Sequence, residues 1–360
     1  MVDREPEQVG TLVVGGGQAG LAVGYHLTRR GVPFLIVDAN ERIGDAWRNR
    51  WDSLRLFTPA RYDGLTGMPF PGAGRSFPAK DDVADYLEAY AERFRLPIRG
   101  GLRVDALARD GGGYRVSAGD ERFGADNVVI ALSSFQVPKV PPFASELDPS
   151  IVQMHSSTYR NPSQLRDGAV LVVGVGNSGG EISLDVVGSH RTVLAGTEVG
   201  HVPVRIDGVV ARTVVMPLLF RVVAQHVLTV DTPVGRRMRP KLLAHGAPLV
   251  RVKPKDLVAA GVVRVPRIGG VRDGLPVTTE GRALDVENVI WCTGFRTDFS
   301  WIDLPTIGDG EPLHHRGVVA DEPGLYVVGL FFLYAMSSGF LPGVARDAAY
   351  VADAIAARSD

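Results

Sequence analysis

A ten-residue pattern that occurs twice in the chain constrains the fold more than any other feature of the sequence. Residues 11–20 read TLVVGGGQAG, and residues 170–179 read VLVVGVGNSG. In each copy a short apolar run fits a buried parallel strand, the glycines fit a tight turn, and apolar residues at helical spacing follow. Each copy therefore predicts a strand, a turn and a helix in succession, and the repeat predicts two related units in one chain.

The first copy has every part of a dinucleotide-binding unit. Gly15, Gly17 and Gly20 form the G-x-G-x-x-G motif, and Asp38 stands at the end of the next buried strand, 21 residues after Gly17. The glycines permit the turn, a close approach of the backbone to a pyrophosphate, and tight packing of the helix on the strand. The helix N-terminus offers N–H donors to the phosphates, and Asp38 can accept hydrogen bonds from the ribose hydroxyls. The predicted contacts of this dinucleotide are Gly15, Gly17, Gln18, Ala19, Gly20, Asp38 and Ala39.

The second copy has the same glycines but a different residue after its next strand. The strand predicted at 191–195 is followed by Gly196, so neither the acid that indicates NAD nor the arginine that favours NADP is present there. Arg191, Arg205 or the basic run at 236–241 could fold back to supply a positive charge, which leaves NADPH and NADH open. The predicted contacts of this dinucleotide are Gly174, Gly176, Asn177, Ser178, Thr197 and Arg205.

Two dinucleotide units in one chain predict a pair of electron carriers, with FAD in the first unit and NAD(P)H in the second. Such a flavin accepts a hydride from the nicotinamide and passes electrons to oxygen, a disulfide or a quinone. Disulfide reduction is excluded because it needs a dithiol, and Cys292 is the only cysteine. No metal site is predicted, since His314 and His315 lack further ligands at suitable spacing.

The net charge and the lack of long apolar segments argue against nucleic acid and membranes as partners. The formal net charge is −1, so no overall field attracts nucleic acid or an anionic membrane. The polar start MVDREPEQ does not fit a signal peptide, and no apolar run approaches the ~18 residues of a membrane-spanning helix. We expect a cytoplasmic protein without stable membrane insertion that acts on a small organic molecule. Assembly into a homo-oligomer is left open.

Two crossings between domains are predicted, one at the proline-rich stretch VPKVPP (137–142) and one at the apolar strand before Gly294. The predicted fold class is α/β, with two doubly wound Rossmann-like dinucleotide-binding domains. The FAD-binding domain is expected to be discontinuous and to comprise residues 1–165 and 285–360. The NAD(P)H-binding domain, residues 166–284, is expected to be inserted into it.

Four segments together carry a family resemblance. They are ERIGDAWRNRW (41–51), SLRLFTPARYDGLTGMPFP (53–71), VLVVGVGNSGGEISLDV (170–186) and VIWCTGFRTDFSWI (289–302). Over essentially its whole length, the chain resembles the flavin-containing monooxygenases, the class B flavoprotein group that includes the plant indole-pyruvate monooxygenases and many bacterial relatives. The resemblance implies that NADPH, with NADH left open, reduces the flavin. It further implies that O2 forms a C4a-hydroperoxyflavin, from which one oxygen atom passes to a nucleophilic nitrogen or sulfur, or to a ketone.

The resemblance also implies roles for residues outside the glycine motifs. No catalytic side chain is required, because the flavin supplies the chemistry and the protein excludes water. The implied candidates for the substrate pocket are Trp47, Phe57 and Thr58. The implied cofactor contacts beyond the two glycine motifs are Trp47, Arg48, Thr293, Gly294 and Gly329.

Several positions depart from the family pattern. His155 and Tyr159 fit the family fingerprint F-x-G-x-x-x-H-x-x-x-Y/F, but Pro149 and Ile151 replace its Phe and Gly. Phe57 stands where relatives often carry an Asn that faces the flavin. These departures leave two alternatives open. One is an NAD(P)H oxidase or dehydrogenase that inserts no oxygen, and the other is a flavoprotein that senses NAD(P)H.

Overall fold

Two separate β-sheets each contain one of the two repeated units. The computed structural model describes residues 5–202, 206, 208, 215–245, 248–305, 307 and 310–359. The strands are β1 (Glu7–Val14), β2 (Phe34–Val37), β3 (Ile98–Arg99), β4 (Ala106–Asp110), β5 (Gly113–Ala118), β6 (Glu121–Ile130), β7 (Val137–Pro138), β8 (Val152–His155), β9 (Ala169–Val173), β10 (Arg191–Ala195), β11 (Val263–Val265), β12 (Ile268–Arg272), β13 (Leu275–Thr278), β14 (Asn288–Trp291), β15 (Phe295–Arg296), β16 (Ile302–Asp303), β17 (His314–His315), β18 (Val318–Val319) and β19 (Leu325–Val327). The helices are α1 (Gln18–Arg30), α2 (Asp45–Arg48), α3 (Lys80–Arg93), α4 (Asn177–Val186), α5 (Pro233–His245), α6 (Pro254–Ala259) and α7 (Leu341–Ser359), with a π-helix at Leu218–Val227.

The first sheet has a parallel core in the order β3-β2-β1-β6-β19. The start of β6 also pairs antiparallel with β5, which pairs with β4, so a three-stranded meander extends one side of this core. Helices α1, α3 and α7 cover one face, where Leu21, Leu87 and Val344 are fully or almost fully buried. The apolar run of β1 is buried because a parallel strand at the sheet centre is covered on both faces.

The second sheet is parallel throughout, in the order β11-β10-β9-β14-β8. Strand β9 and helix α4 form the second repeated unit, and β10 follows as the next strand. Both sheets thus follow a doubly wound order around their glycine motifs, which confirms the predicted fold class of two Rossmann-like units.

The second sheet includes strands from outside the predicted range 166–284. Two of its strands, β8 and β14, pair directly with each other, and β14 pairs with β9. These two strands come from the ranges 1–165 and 285–360, which flank the predicted insertion on either side. The sequence hid the first of these strands because its four residues, VQMH, are only partly buried and do not form an apolar run.

None of the described helices combines the length and the apolar character that a bilayer span requires.

Candidate functional site

The first glycine loop has an open place for a ligand at the start of α1. Gly15 has φ of +111°, and its N–H donates to the carbonyl oxygen of Val37 at 2.8 Å, which ties the loop to the end of β2. A Cβ on Gly20 would collide with the carbonyl oxygen of Gly15. By contrast, a Cβ on Gly17 would meet no protein atom within 4 Å. The loop is therefore closed on the protein side and open above Gly17, where the N–H groups of the helix start can receive a phosphate.

Asp38 lies beside this opening. Its Oδ2 accepts a hydrogen bond from the N–H of Gly16 at 2.5 Å, and its Oδ1 accepts from the backbone N–H and Nδ2 of Asn40 at 2.7 and 2.8 Å. An ionised carboxylate has about four acceptor positions, so Asp38 keeps one of them, on Oδ2, for a ribose hydroxyl. The depression here is lined by Gly16, Gly17, Asp38, Asn40, Arg42, Ile43, Gly44, Ala46, Trp47 and Leu87. The structure thus brings Gly17, Asp38 and Trp47 together, in an arrangement that fits FAD.

The other residues predicted for this dinucleotide lie around the same helix start. Gln18 donates from Nε2 to the carbonyl oxygen of Gly339 at 3.0 Å, so its amide links α1 to the segment before α7. A Cβ on Gly329 would lie 2.8 Å from the Cβ of Ala19, which shows how closely the end of β19 approaches α1. Ala39 is exposed next to Asp38.

Arg48, predicted as a cofactor contact, bonds to several groups of the protein. Its guanidinium lies 3.3, 2.8 and 2.9 Å from carboxylate oxygens of Asp45, Asp85 and Glu88, and it also donates to the carbonyl oxygen of Ile43. These partners join α2 to α3. The structure therefore gives Arg48 the role of holding α2, and with it Trp47, against the rest of the domain.

The second glycine loop repeats the geometry of the first. Gly174 has φ of +112°, and its N–H donates to the carbonyl oxygen of Ala195 at 2.8 Å. A Cβ on Gly179 would collide with the carbonyl oxygen of Gly174, whereas a Cβ on Gly176 would meet no protein atom within 4 Å. The same open place therefore exists at the start of α4, and it fits a second dinucleotide.

The remaining predicted contacts of the second dinucleotide are only partly gathered at this loop. Asn177 donates to the carbonyl oxygen of Pro248 and accepts from the N–H of Val250, so its amide holds a neighbouring segment. Ser178 is half-buried in the first turn of α4, and Thr197 is exposed just after β10. Arg205 lies outside the described residues.

Thr293 and Gly294 sit where the chain returns to the first domain. The hydroxyl of Thr293 donates to the carbonyl oxygen of Lys139, and the N–H of Lys139 donates to the carbonyl oxygen of Gly294 at 2.9 Å. Nε2 of His155 lies 3.1 Å from that same Gly294 oxygen, and burial lowers the pKa of His155. These hydrogen bonds join the two predicted crossings between domains, at residues 139 and 293–294. The structure therefore supports a role for His155 in positioning Gly294.

Of the pocket candidates, Phe57 is half-buried and Thr58 is buried. The ring of Phe57 packs edge-on against Phe340, with centroids 5.6 Å apart, and Phe340 packs against Phe331 at 5.8 Å. The Thr58 hydroxyl donates to Oδ1 of Asp63 at 2.5 Å. Phe57 therefore belongs to an aromatic cluster, while the Thr58 hydroxyl is already engaged by the protein.

Sequence reasoning missed Asp63, which is fully buried. Its Oδ2 has no hydrogen-bond partner among the described residues, and burial raises the pKa of this carboxyl to about 7, despite the opposing bond from Thr58. The signal available in the sequence was a single carboxylate in the stretch FTPARYDGLTG, in which Arg61 is the one other charged residue.

We expect the stability advantage of an Asp63→Asn variant over the native protein to grow with pH. In the unfolded chain the carboxyl ionises near pH 4, but in the fold it stays neutral up to about pH 7. Between these values the unfolded state binds fewer protons, so the native protein loses stability as pH rises. The advantage of the variant should increase by about 2–3 kcal/mol from pH 5 to pH 8 in chemical denaturation. Asp120→Asn, at an exposed turn, is the control, and parallel pH curves for Asp63→Asn and native protein would contradict the expectation.

Known proteins resemble this chain over almost its full length. Residues 12–201 match the family described as pyridine nucleotide-disulphide oxidoreductase. The uncharacterized oxidoreductase CzcO-like of Geobacillus kaustophilus (strain HTA426) is 37% identical over 347 residues, which cover 95% of this chain and 97% of that protein. The indole-3-pyruvate monooxygenase YUCCA1 of Oryza sativa subsp. japonica is 30% identical over 363 residues, covering 91% of this chain and 87% of that protein.

A solved structure shows the same architecture. The flavin-containing monooxygenase from Stenotrophomonas maltophilia superposes with a TM-score of 0.77 at 27% identity, covering 98% of this chain and 100% of that one. The two glycine loops, the single buried Cys292 and these relatives agree with one another, since an enzyme without a dithiol needs another acceptor for its electrons. The chain is an oxidoreductase that belongs to the flavin-containing monooxygenase family, whose cofactors are FAD and NADP(H).

Proposed function

We propose that this protein uses NADPH and O2 to oxygenate a small, apolar organic molecule at FAD. The observation that carries the proposal is a continuous set of contacts between the two glycine loops. Gln18, in the first turn of α1, bonds to Gly339, and the neighbouring Phe340 packs on Phe57. Phe57 belongs to an apolar cluster that contains Val250, whose N–H donates to Asn177 in the first turn of α4.

These contacts form an aromatic and aliphatic link between the two glycine loops, and this link supports the proposal. Besides Phe57 and Val250, the cluster contains the buried Tyr62 and Met216, and Phe331 continues the aromatic side through Phe340. Apolar walls exclude water from the region in which electrons pass between cofactors, and a site without water protects a reactive oxygenating species from premature breakdown. The same walls favour an apolar substrate.

The residues of this chain bind and orient, and they do not supply the redox chemistry. Bound FAD would accept a hydride from NADPH and activate O2. Gly17 and the start of α1 would hold its pyrophosphate, and Asp38 would hold its adenosine ribose. Gly176 and the start of α4 would hold the pyrophosphate of NADPH in the same way, and Trp47 packs beside the first loop.

Stopped-flow absorbance of the purified holoprotein tests the proposal. The flavin is reduced anaerobically by NADPH or NADH in parallel, and the reduced protein is then mixed with oxygen. We expect faster reduction by NADPH, followed by a long-lived spectral species that precedes the return of oxidised flavin. FAD reduced chemically in the absence of protein is the control for direct reoxidation.

The two alternatives predict different results in the same experiment. A direct return to oxidised flavin with stoichiometric hydrogen peroxide would establish an oxidase or dehydrogenase, an outcome motivated by Phe57 in place of the family Asn. Failure of both nucleotides to reduce the flavin would favour the sensor. The cytoplasmic location and the homo-oligomer stay predictions from the sequence.

A further inference from the structure

The second dinucleotide site lacks the carboxylate that the first one has. In both units the first glycine of the loop donates its N–H, at 2.8 Å, to the last residue of the next strand, Val37 in one and Ala195 in the other. Asp38 and Gly196, which directly follow these residues, are therefore structural counterparts. Gly196 has φ of +145°, and a Cβ there would lie 2.7 Å from a methyl carbon of Val175. No side chain fits this position, so nothing there can accept a ribose hydroxyl as Asp38 can.

A guanidinium occupies this place instead. Strand β11 runs parallel to β10, with Arg264 opposite Leu194, and the N–H of Gly196 donates to the carbonyl oxygen of Val265 at 3.3 Å. Nη2 of Arg264 donates to the carbonyl oxygen of Gly196 at 3.2 Å. The arginine thus reaches from the neighbouring strand to the tip of β10, where the adenosine ribose of a dinucleotide lies in this fold.

Arg264 is only partly satisfied by the protein. Its Nε is buried and has no hydrogen-bond partner among the residues that the structure describes. Glu198, two residues past Gly196, is exposed and is the carboxylate that acts electrostatically on this guanidinium. Burying a cation that has an unused hydrogen-bond donor costs free energy. An anion bound beside Arg264 would compensate its charge and accept from its free donor.

Three of the other cations considered from the sequence, Arg191, Arg236 and Arg239, are directed elsewhere, and Arg205 lies outside the described residues. Arg191 begins β10, at the end of the strand opposite the ligand site, and donates to the carbonyl oxygen of Asp285. In the basic run, Arg236 donates to carbonyl oxygens of 230 and 231, and Arg239 donates to Phe332 and lies 3.2 Å from Glu311. Among the described candidates, Arg264 is the one whose guanidinium bonds to the tip of β10.

We propose that Arg264 binds the 2′-phosphate of NADPH and sets the preference of this chain for NADPH over NADH. A guanidinium offers a planar fork of donors that suits phosphate oxygens, whereas the 2′-hydroxyl of NADH brings no charge to it. The arginine is contributed by β11, the strand beside β10, and the tip of β10 itself carries glycine. The inference rests on the proposed function only in assigning the nicotinamide dinucleotide to the second unit.

Isothermal titration calorimetry with two nucleotide fragments tests this role without any turnover. 2′,5′-ADP and 5′-AMP differ only by the 2′-phosphate. We expect the FAD-loaded native protein to bind 2′,5′-ADP about 10- to 100-fold more tightly, as befits charge-assisted hydrogen bonds. Arg264→Gln should abolish most of this ratio and leave 5′-AMP affinity unchanged. Arg191→Gln is the matched control and should retain the native ratio.

Two further variants keep the test decisive. Arg264→Lys retains the charge but loses the planar fork of donors, so its ratio of 2′,5′-ADP to 5′-AMP affinity should fall between those of native protein and Arg264→Gln. This variant also tests the role of Arg264 if Arg264→Gln fails to fold. Glu198→Gln removes the competing carboxylate and should increase the ratio. A native protein that binds both fragments equally, or Arg264 variants that retain the native ratio, would overturn the inference. Fragment binding needs neither oxygen nor substrate, so its outcome is separate from that of the oxygenation experiment.

Discussion

Asp38→Ala protein should be purified almost free of flavin. Asp38 is expected to accept a hydrogen bond from the adenosine ribose, and a bond to a charged group is worth about 1.5–3 kcal/mol. Loss of this bond weakens binding by a factor on the order of 10 to 10². The flavin-to-protein ratio after gel filtration, measured by absorbance, should therefore fall from near saturation to a small fraction.

The design must separate ribose binding from the support that Asp38 gives to its own loop. Asp38 accepts from Gly16 and from both nitrogens of Asn40, so Asp38→Ala also releases these donors. Asn40→Ala removes one of the loop bonds and leaves the carboxylate in place, so this variant should keep its FAD. If Asp38→Ala retained the native flavin ratio, or if Asn40→Ala lost as much flavin, the assignment of Asp38 to the ribose would be wrong.

The glycine loops were predictable because their geometry is local. A turn that needs positive φ at Gly15 and Gly174, and helix–strand contacts too close for a Cβ at Gly20 and Gly179, select glycine at fixed spacing. The sequence therefore placed the turn, the helix start and Asp38 correctly relative to one another. The doubly wound order of both sheets followed from the same repeat.

Side-chain partners were not predictable, because contacts over long sequence separation decide them. The partners of Arg48 include carboxylates of α3, of which the first, Asp85, lies 37 residues later in the chain. Gln18 bonds to Gly339, across 321 residues. Arg264 lies at the tip of β10 because β11 pairs with β10, and no local sequence pattern predicts this pairing. Periodicity reports which face of an element is buried, but it does not report which distant element covers that face.

Gly176→Ala should leave the protein folded and yellow but weaken its response to NADPH. Gly176 has φ of −70°, which alanine adopts readily, and its Cβ would meet no protein atom within 4 Å. The added methyl group would fill only the space into which a pyrophosphate must come. An intruding methyl group costs about 1–3 kcal/mol, so the apparent Kd for NADPH in anaerobic flavin reduction should rise about 10- to 100-fold.

Gly188→Ala provides the matched control for this prediction. A Cβ on Gly188, just beyond the other end of α4, also meets no protein atom within 4 Å, and so the same substitution adds the same methyl group away from the glycine loop. Both variants should keep native FAD content and nearly native melting temperature, whereas only Gly176→Ala should lose NADPH affinity. Equal NADPH affinity in the two variants would contradict the assignment of the second dinucleotide to the start of α4. Loss of FAD in Gly176→Ala would instead show that the two glycine loops are not independent sites, because Gly176 lies in the second loop, between β9 and α4, and not in the loop before α1.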